Sequence, residues 1–523
     1  MAAECDHFSN LPNELKYMIL SLLPCHSLKV ARLVDKEWAV VAASLLFHTV
    51  ETRLLETENR KISTLIDGLP GGFLDSVKVL CISSVSNPPA REKTENSLLR
   101  LLGALPRDTL ATFRCSVPLS QHTVGLLLRT QSRLSDLGVS LARNEQIGLP
   151  GPNFVRGNLL CLRRLAITVT RASNSTYEGY GTWFSYTPIL EDLRIQGALF
   201  HGLHYFEGWT LPMKNTLLTL RRLFLDQLVL TPSVSGLSEQ MHLPSLRELV
   251  LRQCRGTGAL LDSFTTAFSK SENSALEMFE QADTKQLPDH VAATKLLKAL
   301  KKLDVVILTN KSGLVDSLPD LTSLCEVGHT IRAAHISTSH ETRYYNVDEL
   351  RQLSAACPNM EMLCINLPDF HEDVINTEIL DDFELSPGNG GSPARRELRI
   401  SLEILATLPR LRTLRIVNHP LLRFEFTAAE RRYRHQQLAR LFIAFLAERG
   451  SPIQLIVFNP AYTCELDETP VMDSNGHKWP FYSYQKGTVS VEKTVSSSVS
   501  MVVAVPIVRK EIGLIEPFHA YVV

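Results

Sequence analysis

The stretch TPILEDLRIQG, residues 187–197, decides how this chain folds. Leu190, Leu193 and Ile195 follow one another at spacings of three and two, with polar residues between. Alternation over so short a span fits a strand with one buried face, and the Pro ahead of it is a turn residue. The same form returns as LLCLRRLAITV (159–169), LLTLRRLFLDQ (217–227) and LPSLRELVLRQC (243–254). Looser copies are LDSVKVLCISS (74–84), LKKLDVVILT (300–309), CPNMEMLCINL (357–367) and LPRLRTLRIVN (408–418). Leu162, Leu190, Leu220 and Leu246 are equivalent first leucines, separated by 28, 30 and 26 residues. A weaker copy, LEMFEQAD (276–283), keeps the beat toward Leu303 with intervals of 30 and 27. A period in this range marks a chain built from stacked repeats.

L-x-x-L-x-L/I at this period resembles the leucine-rich repeat at its long, irregular end. The resemblance implies a solenoid whose strand leucines point inward and whose return segments, often helices, run along the outer face. An ordinary α/β protein also alternates strands and helices, but without L-R-x-L-x-L at nearly one spacing. The Asn that gives regular repeats their turn ladder is missing from the pattern. Three segments interrupt it: the polar, aromatic 170–183, the aromatic insert LFHGLHYFEGWTLP (199–212), and 369–396, acidic first and then Gly/Pro-rich. Each reads as a long loop. Thr427 and Glu430 form a capping box for a helix over 428–449, which Gly450 and Pro452 stop. A strand is expected in SPIQLIVFNP (451–460). The alternating tail predicts two more strands that close the open end of the solenoid.

Ahead of the repeats lies SNLPNELKYMILSLLPCHSLKVARLVDKEWAVVAASLLFHTVE, Ser9 to Glu51. Leu15, Ile19 and Leu22 recur at helical spacing after Pro12. Pro24 ends that helix, and Ser27 is placed to cap a second one carrying Leu28, Ala31 and Leu33. A third holds Trp38, Ala42 and Leu45/Leu46. Roughly forty residues is near the lower limit for an independent core, so the apolar surplus predicts a partner surface. L-P-x-E-L-x-x-x-I-L-x-x-L-P, S-L-x-x-x-R-L-V-x-K-x-W and A-x-x-L-L-F together resemble an F-box, over about a tenth of the chain. Ala31 stands where many members of that family have Cys. Degenerate leucine-rich repeats accompany the motif in many fungal members. The resemblance implies docking on the Skp adaptor of a cullin-based SCF ubiquitin ligase. Leu11, Pro12, Ile19, Leu20, Leu23, Val34 and Trp38 are the expected adaptor-binding residues, with Leu15 and Leu28 as F-box core.

The composition is that of an ordinary globular protein, 44% hydrophobic and 21% charged. A net charge of −1 speaks against broad electrostatic binding to nucleic acid or anionic membranes. The N-terminal MAAECDHFSN lacks the apolar core of a secretory signal. The most apolar run, Met501 to Val508, is broken by Pro506 and is far short of a membrane span. A cytoplasmic or nuclear location is expected. The ten cysteines form no C-x-x-C pair and sit mostly among apolar residues, as buried thiols of a reducing compartment do.

Catalytic motifs are thin. GNGGSPARR lacks the G-K-S/T of a phosphate loop, and no H-E-x-x-H, G-x-S-x-G or strand-borne G-x-G-x-x-G occurs. His201 and His204 share a turn without a carboxylate or Cys at ligand spacing, and His371, Glu372 and Asp373 read as an acidic loop. Tyr180, Trp183, Tyr205 and Trp209 fall on two consecutive inter-repeat segments and are candidates for substrate binding. Their alternative role is to fill an irregular core. Arg423, Arg431, Arg432 and Arg434 form a second candidate patch, although a charged helix face is usually only solvated.

The expectation is therefore an α/β chain: an F-box at 8–51, a connector at 52–72, a repeat domain at 73–460 and a β-strand cap at 461–523. Expected partners are a Skp adaptor, a cullin scaffold and an unknown protein substrate, with no nucleic acid, membrane, metal or cofactor and no catalysis by this chain. The alternative is a repeat scaffold that works outside any ligase.

Overall fold

The computed structural model describes residues 11–54, 74–84, 91–141, 159–169, 187–197, 204–206, 219–230, 237–238, 241–270, 275–282, 287–310, 319–338, 343–368, 393–417, 428–458, 482–494 and 497–507. The chain divides into two compact units, Met1–His242 and Leu243–Val523. The span 73–460 expected of one repeat domain is thus shared between them.

The first unit opens with three helices, α1 (Asn13–Ser21), α2 (Cys25–Ala31) and α3 (Lys36–His48). The Pro12 carbonyl starts α1 by accepting the N–H groups of Leu15 and Lys16, both at 3.0 Å. Pro24 caps α2, so Ser27 lies inside that helix and is not its cap. Asp35, overlooked in the sequence, caps α3 through the N–H groups of Glu37 and Trp38. Leu20, Leu28, Ala31, Val41 and Ala42 form the core of this bundle, with Trp38, Leu45 and Leu46 packed against it.

Strand β1 (Thr49–Leu54) follows α3 directly and pairs in parallel with β2 (Val79–Ser84). The sheet therefore begins inside the span expected to close the helical module. It continues through β3 (Thr112–Leu119), β4 (Asp136–Leu141), β5 (Arg164–Val169), β6 (Asp192–Gly197) and β8 (Arg222–Asp226), all parallel. Two helices, α4 (Arg91–Ala104) and α5 (Gln121–Thr130), pack on one another between these strands. A separate small pair joins β7 (His204–Phe206) to β9 (Leu228–Leu230).

In the second unit β10 (Glu248–Arg252), β11 (Met278–Ala282), β12 (Val305–Asn310), β13 (Ala333–Thr338), β14 (Met362–Ile365), β15 (Thr413–Ile416) and β16 (Leu455–Phe458) are again parallel neighbours. Helices run between them: α6 (Gly258–Lys270), α7 (Leu287–Ala299), α8 (Leu321–Val327), α9 (Val347–Ala356), α10 (Pro393–Ala406) and α11 (Ala428–Glu448). From α6 to α11 each helix packs on the next. The tail forms the two strands expected of it, β17 (Tyr482–Thr494) and β18 (Ser497–Ile507). This hairpin pairs antiparallel with β16 and ends the parallel run.

One repeat position explains the regularity. Val77, Leu110, Leu134, Leu162, Leu190 and Leu220 each stand three residues before a buried strand residue in the first unit, and all are 2% exposed or less. Leu246, Leu276, Leu303, Ile331, Met360, Leu411 and Ile453 do the same in the second. Leu276 is the weak copy suspected from LEMFEQAD. Val77 heads the looser copy LDSVKVLCISS, while Leu110, Leu134 and Ile331 head β3, β4 and β13, which sequence reading passed over. The backbone repeats with them. Ser135 O accepts from the N–H groups of both Arg163 and Arg164, and Arg163 O from Glu191 and Asp192, at 2.8–3.0 Å. Glu277 O and Asp304 O do likewise for the strands that follow them. Gln227 and Gln253, just past β8 and β10, both take a left-handed conformation, φ 57° and 49°, where the chain turns off the strand.

The Asn missing from the sequence pattern has a counterpart at Asn366. Buried Asn366 donates to Thr338 O at 3.0 Å and accepts from Thr338 N–H at 3.2 Å. It bonds both backbone groups of Thr338 at the end of β13.

Candidate functional site

Two features of the first unit stand out: the outside of the three-helix bundle and the open face of its sheet. In the bundle, the helical spacing of apolar residues along α1 predicts Leu15, Ile19 and Leu22 on the inner face. The structure buries Lys16 and Leu20 instead. One residue along an α-helix is about 100° of rotation, so the predicted stripe is turned outward. Lys16 makes this possible. Its aliphatic stem packs inward while its ammonium reaches the Glu37 carboxylate on α3.

Two expectations change places as a result. Leu15, expected in the core, is 44% exposed, and Leu20, expected to dock, is 1% exposed within the core cluster. Leu28 is buried in that cluster. Ile19, Leu23 and Val34 are exposed at 41%, 38% and 67%, and Pro12 is exposed. Leu11 and Trp38 are half-buried. Tyr17, Met18, Leu22, Val30, Leu33 and Val40 enlarge the outer apolar surface. Ten of the sixteen exposed large apolar side chains among the described residues fall between Leu15 and Val40. A concentration of this kind marks a contact surface.

The sheet of the first unit buries one face. Leu80, Phe113, Leu137, Leu165, Leu193 and Leu223 form one inward row across it, all 1% exposed or less. The other face carries a groove of about 430 Å³. Asp136, Arg164, Asp192 and Arg222 occupy one register row across it, and Arg114, Gly138, Ala166 and Arg194 the row beside it. Asp136 accepts from Arg114 at 2.7 Å and lies 3.1 Å from Arg164. Asp192 lies 3.4 Å from Arg194 and 3.5 Å from Arg222. Arg194 also stacks over the Phe224 ring at 5.5 Å. Each carboxylate thus serves two guanidiniums.

Gly138 and Ala166 give this groove its floor. A Cβ at position 138 would stand 3.1 Å from Arg114 Cγ, so glycine lets that side chain lie along the sheet toward Asp136. The hydrogen bond to Asp136 holds the Arg114 guanidinium above its ordinary pKa. At one end, burial pushes the Cys81 thiol up despite the nearby Arg114 charge. Such a thiol is a poor nucleophile. The groove therefore offers fixed cationic hydrogen-bond donors on a small-residue floor, a surface for anionic groups.

These arginines were missed in the sequence because charged strand residues look like ordinary solvated positions. Aligning the repeats finds them: Arg164, Asp192 and Arg222 each stand two residues after the first leucine. Of the four aromatic candidates, Tyr180, Trp183 and Trp209 lie outside the described residues. Tyr205 lies on β7, where only the backbone is described. Arg423 is also outside them, and Arg431, Arg432 and Arg434 lie in α11 with only their backbone described. A second cavity, about 380 Å³, opens in the other unit beside Tyr344, Asn346, Glu349, Glu397 and Ser401, with the Tyr344 hydroxyl donating to Glu397 at 2.6 Å. Among the described residues no three His, Cys, Asp or Glu side chains are placed to hold a metal ion, and no helix is long and apolar enough to cross a membrane.

No protein-family model matches the chain, and no curated protein matches it. Among solved structures it is similar to the leucine-rich repeat-containing protein LegL7 from Legionella pneumophila. The identity is 10%, the TM-score 0.31, and the match covers 60% of this chain and 89% of that one. At that score the likeness bears on neither family nor activity.

Proposed function

We propose that this chain is a non-catalytic substrate receptor of an SCF-type ubiquitin ligase. Its three N-terminal helices dock a Skp adaptor, which a cullin scaffold carries, and its repeat sheets hold the target protein. The observation that carries this reading is the crowding of exposed apolar side chains on residues 15–40, outside a core that is already complete. A bundle this small gains stability by burying such a surface, and a Skp adaptor is the partner the F-box resemblance implies. The role is proximity: a tethered target lysine meets the conjugating enzyme at high effective concentration, with no reacting group needed on this chain.

Pull-down with a purified Skp adaptor tests the docking. Leu11→Ala with Pro12→Ala, and separately Ile19→Lys with Val34→Lys, should each abolish capture. The second pair sits on exposed positions, so its thermal unfolding should match the parent. Undiminished capture by both would sink the reading and leave a repeat scaffold acting outside a ligase.

A further inference from the structure

We infer that the cavity beside α9 and α10 in the second unit binds a primary alkylammonium group, as a lysine side chain presents. This goes beyond the ligase reading and does not rest on it.

The cavity is acidic, and its acceptors are in place. Glu349, in the first turn of α9, and Glu397, on α10, both line it. Each carboxylate has one oxygen engaged by the protein. Glu349 Oε2 accepts from the Asn346 N–H at 2.8 Å, and Glu397 Oε2 from the Tyr344 hydroxyl at 2.6 Å. Neither makes an ion pair among the described residues, and none of the described lining residues is basic. Arg351 and Arg399, on the same two helices, are taken by Asp348 and Glu403. The start of α9 is not left to attract an anion, because the Asn346 side chain already bonds the N–H groups of Asp348 and Glu349 in a capping box.

A second observation is independent of this charge. Ser401 stands one helical turn after Glu397 on α10, lines the same cavity and is 1% exposed. A serine inside a helix can bond the carbonyl one turn back. The Ser401 hydroxyl does not, and it has no hydrogen-bond partner. A buried hydroxyl left unbonded is costly, and a donor held in the cavity supplies what it lacks.

The acceptors select the kind of cation. Among the described residues no three His, Cys, Asp or Glu side chains are placed to hold a metal ion. A guanidinium fork is matched by both oxygens of one carboxylate, and here each carboxylate has one oxygen already bonded. An ammonium carries three separate donors. Glu349, Glu397 and Ser401 offer it three single acceptors from two helices. Val347 and Pro368 also line the cavity and suit the alkyl stem behind the charge.

Isothermal titration calorimetry on the full chain at pH 7 tests this with Nα-acetyl-lysine methylamide, its norleucine and arginine counterparts, and pentylamine. The lysine compound should bind at least about tenfold more tightly than the norleucine one, and about fivefold more tightly than the arginine one. Pentylamine matching the lysine compound makes a free amine the ligand, and weaker binding of pentylamine makes it a peptide-borne lysine. Glu397→Gln keeps an acceptor for Tyr344 but removes the charge, and should weaken lysine binding at least about tenfold. Ser401→Ala should weaken it about fivefold without lowering the unfolding temperature, because the hydroxyl removed is unbonded. No binding by the lysine compound, equal binding by its norleucine or arginine counterpart, or parent affinity in either variant would overturn the inference.

Discussion

The two units use one repeat to opposite ends. In the first, strands alternate: β6, DLRIQG, buries Leu193, Ile195 and Gly197 and turns Asp192, Arg194 and Gln196 toward solvent. In the second, β12, VVILTN, is buried along its whole length, as are MFEQA of β11 and MLCI of β14. Parallel strands covered on both faces read as continuous apolar runs, whereas a half-open sheet alternates. The position four residues after the repeat leucine shows the contrast. It is Ala166 and Arg194 in the first unit and Ile307, His335 and Cys364 in the second. One unit leaves a sheet face open with charged side chains on it, and the other buries both faces.

Charge at the two sheets should break apart most sharply on mutation. In the second unit Glu280 is 2% exposed, and Arg252 reaches both of its oxygens, with Nη2 to Oε2 at 3.0 Å. Arg252→Ala strips a buried carboxylate of that partner, and a loss of about 3–5 kcal/mol is expected. Arg164→Ala in the first unit leaves Asp136 with Arg114, so the cost should stay under about 1 kcal/mol. Urea midpoints for the two variants measure the difference. Equal shifts would mean that the first unit's triads are structural and not a recognition surface.

Glycine sharpens the same contrast at lower amplitude. A Cβ on Gly328 would stand 2.7 Å from Ala356 O and 2.8 Å from Cys357 Sγ, both held in a packed interior. Gly328→Ala should cost about 1–3 kcal/mol through overpacking. A Cβ on Gly138 would stand 3.1 Å from Arg114 Cγ and 3.5 Å from its Cβ, a milder approach than at Gly328. Gly138→Ala should cost less than Gly328→Ala, about 1 kcal/mol or less. Calorimetry on the two variants separates the outcomes.

The leucine spacing carried the strands, because a residue buried in every repeat leaves a periodic trace. It failed where the position is filled by other types: Ile331 in TIRAAHI and Leu110 in DTLATF head strands whose next residues break the L-x-L form. The helix orientation at Leu15 was not legible because Lys16 reads as polar. Its burial depends on Glu37, twenty-one residues away. The groove escaped notice for a related reason. An arginine's role depends on its neighbours across the sheet, and Asp136, Arg164 and Asp192 come from three repeats. Position within the period, not residue type, was the missing signal.

What the units share is the inward layer, and its thiols offer the smallest and cleanest comparison. Cys115 in the first unit and Cys357 in the second are both buried, and burial pushes each thiol up to about 12 from an ordinary 9.0. The neutral form is the one the interior tolerates. Between about pH 9 and pH 12 the unfolded chain has released protons that the folded chain still holds. Stability contributed by these thiols is therefore fully present below pH 9 and declines as pH rises toward 12. Urea midpoints should fall between pH 8 and pH 10, and Cys115→Ala and Cys357→Ala should each flatten that fall by a similar amount. Iodoacetamide at pH 8 should modify the exposed Cys25 and Cys161 and spare both buried thiols. Modification of Cys115 ahead of Cys357 would show that the open sheet face loosens the layer beneath it, and that the two units differ in depth as well as in surface.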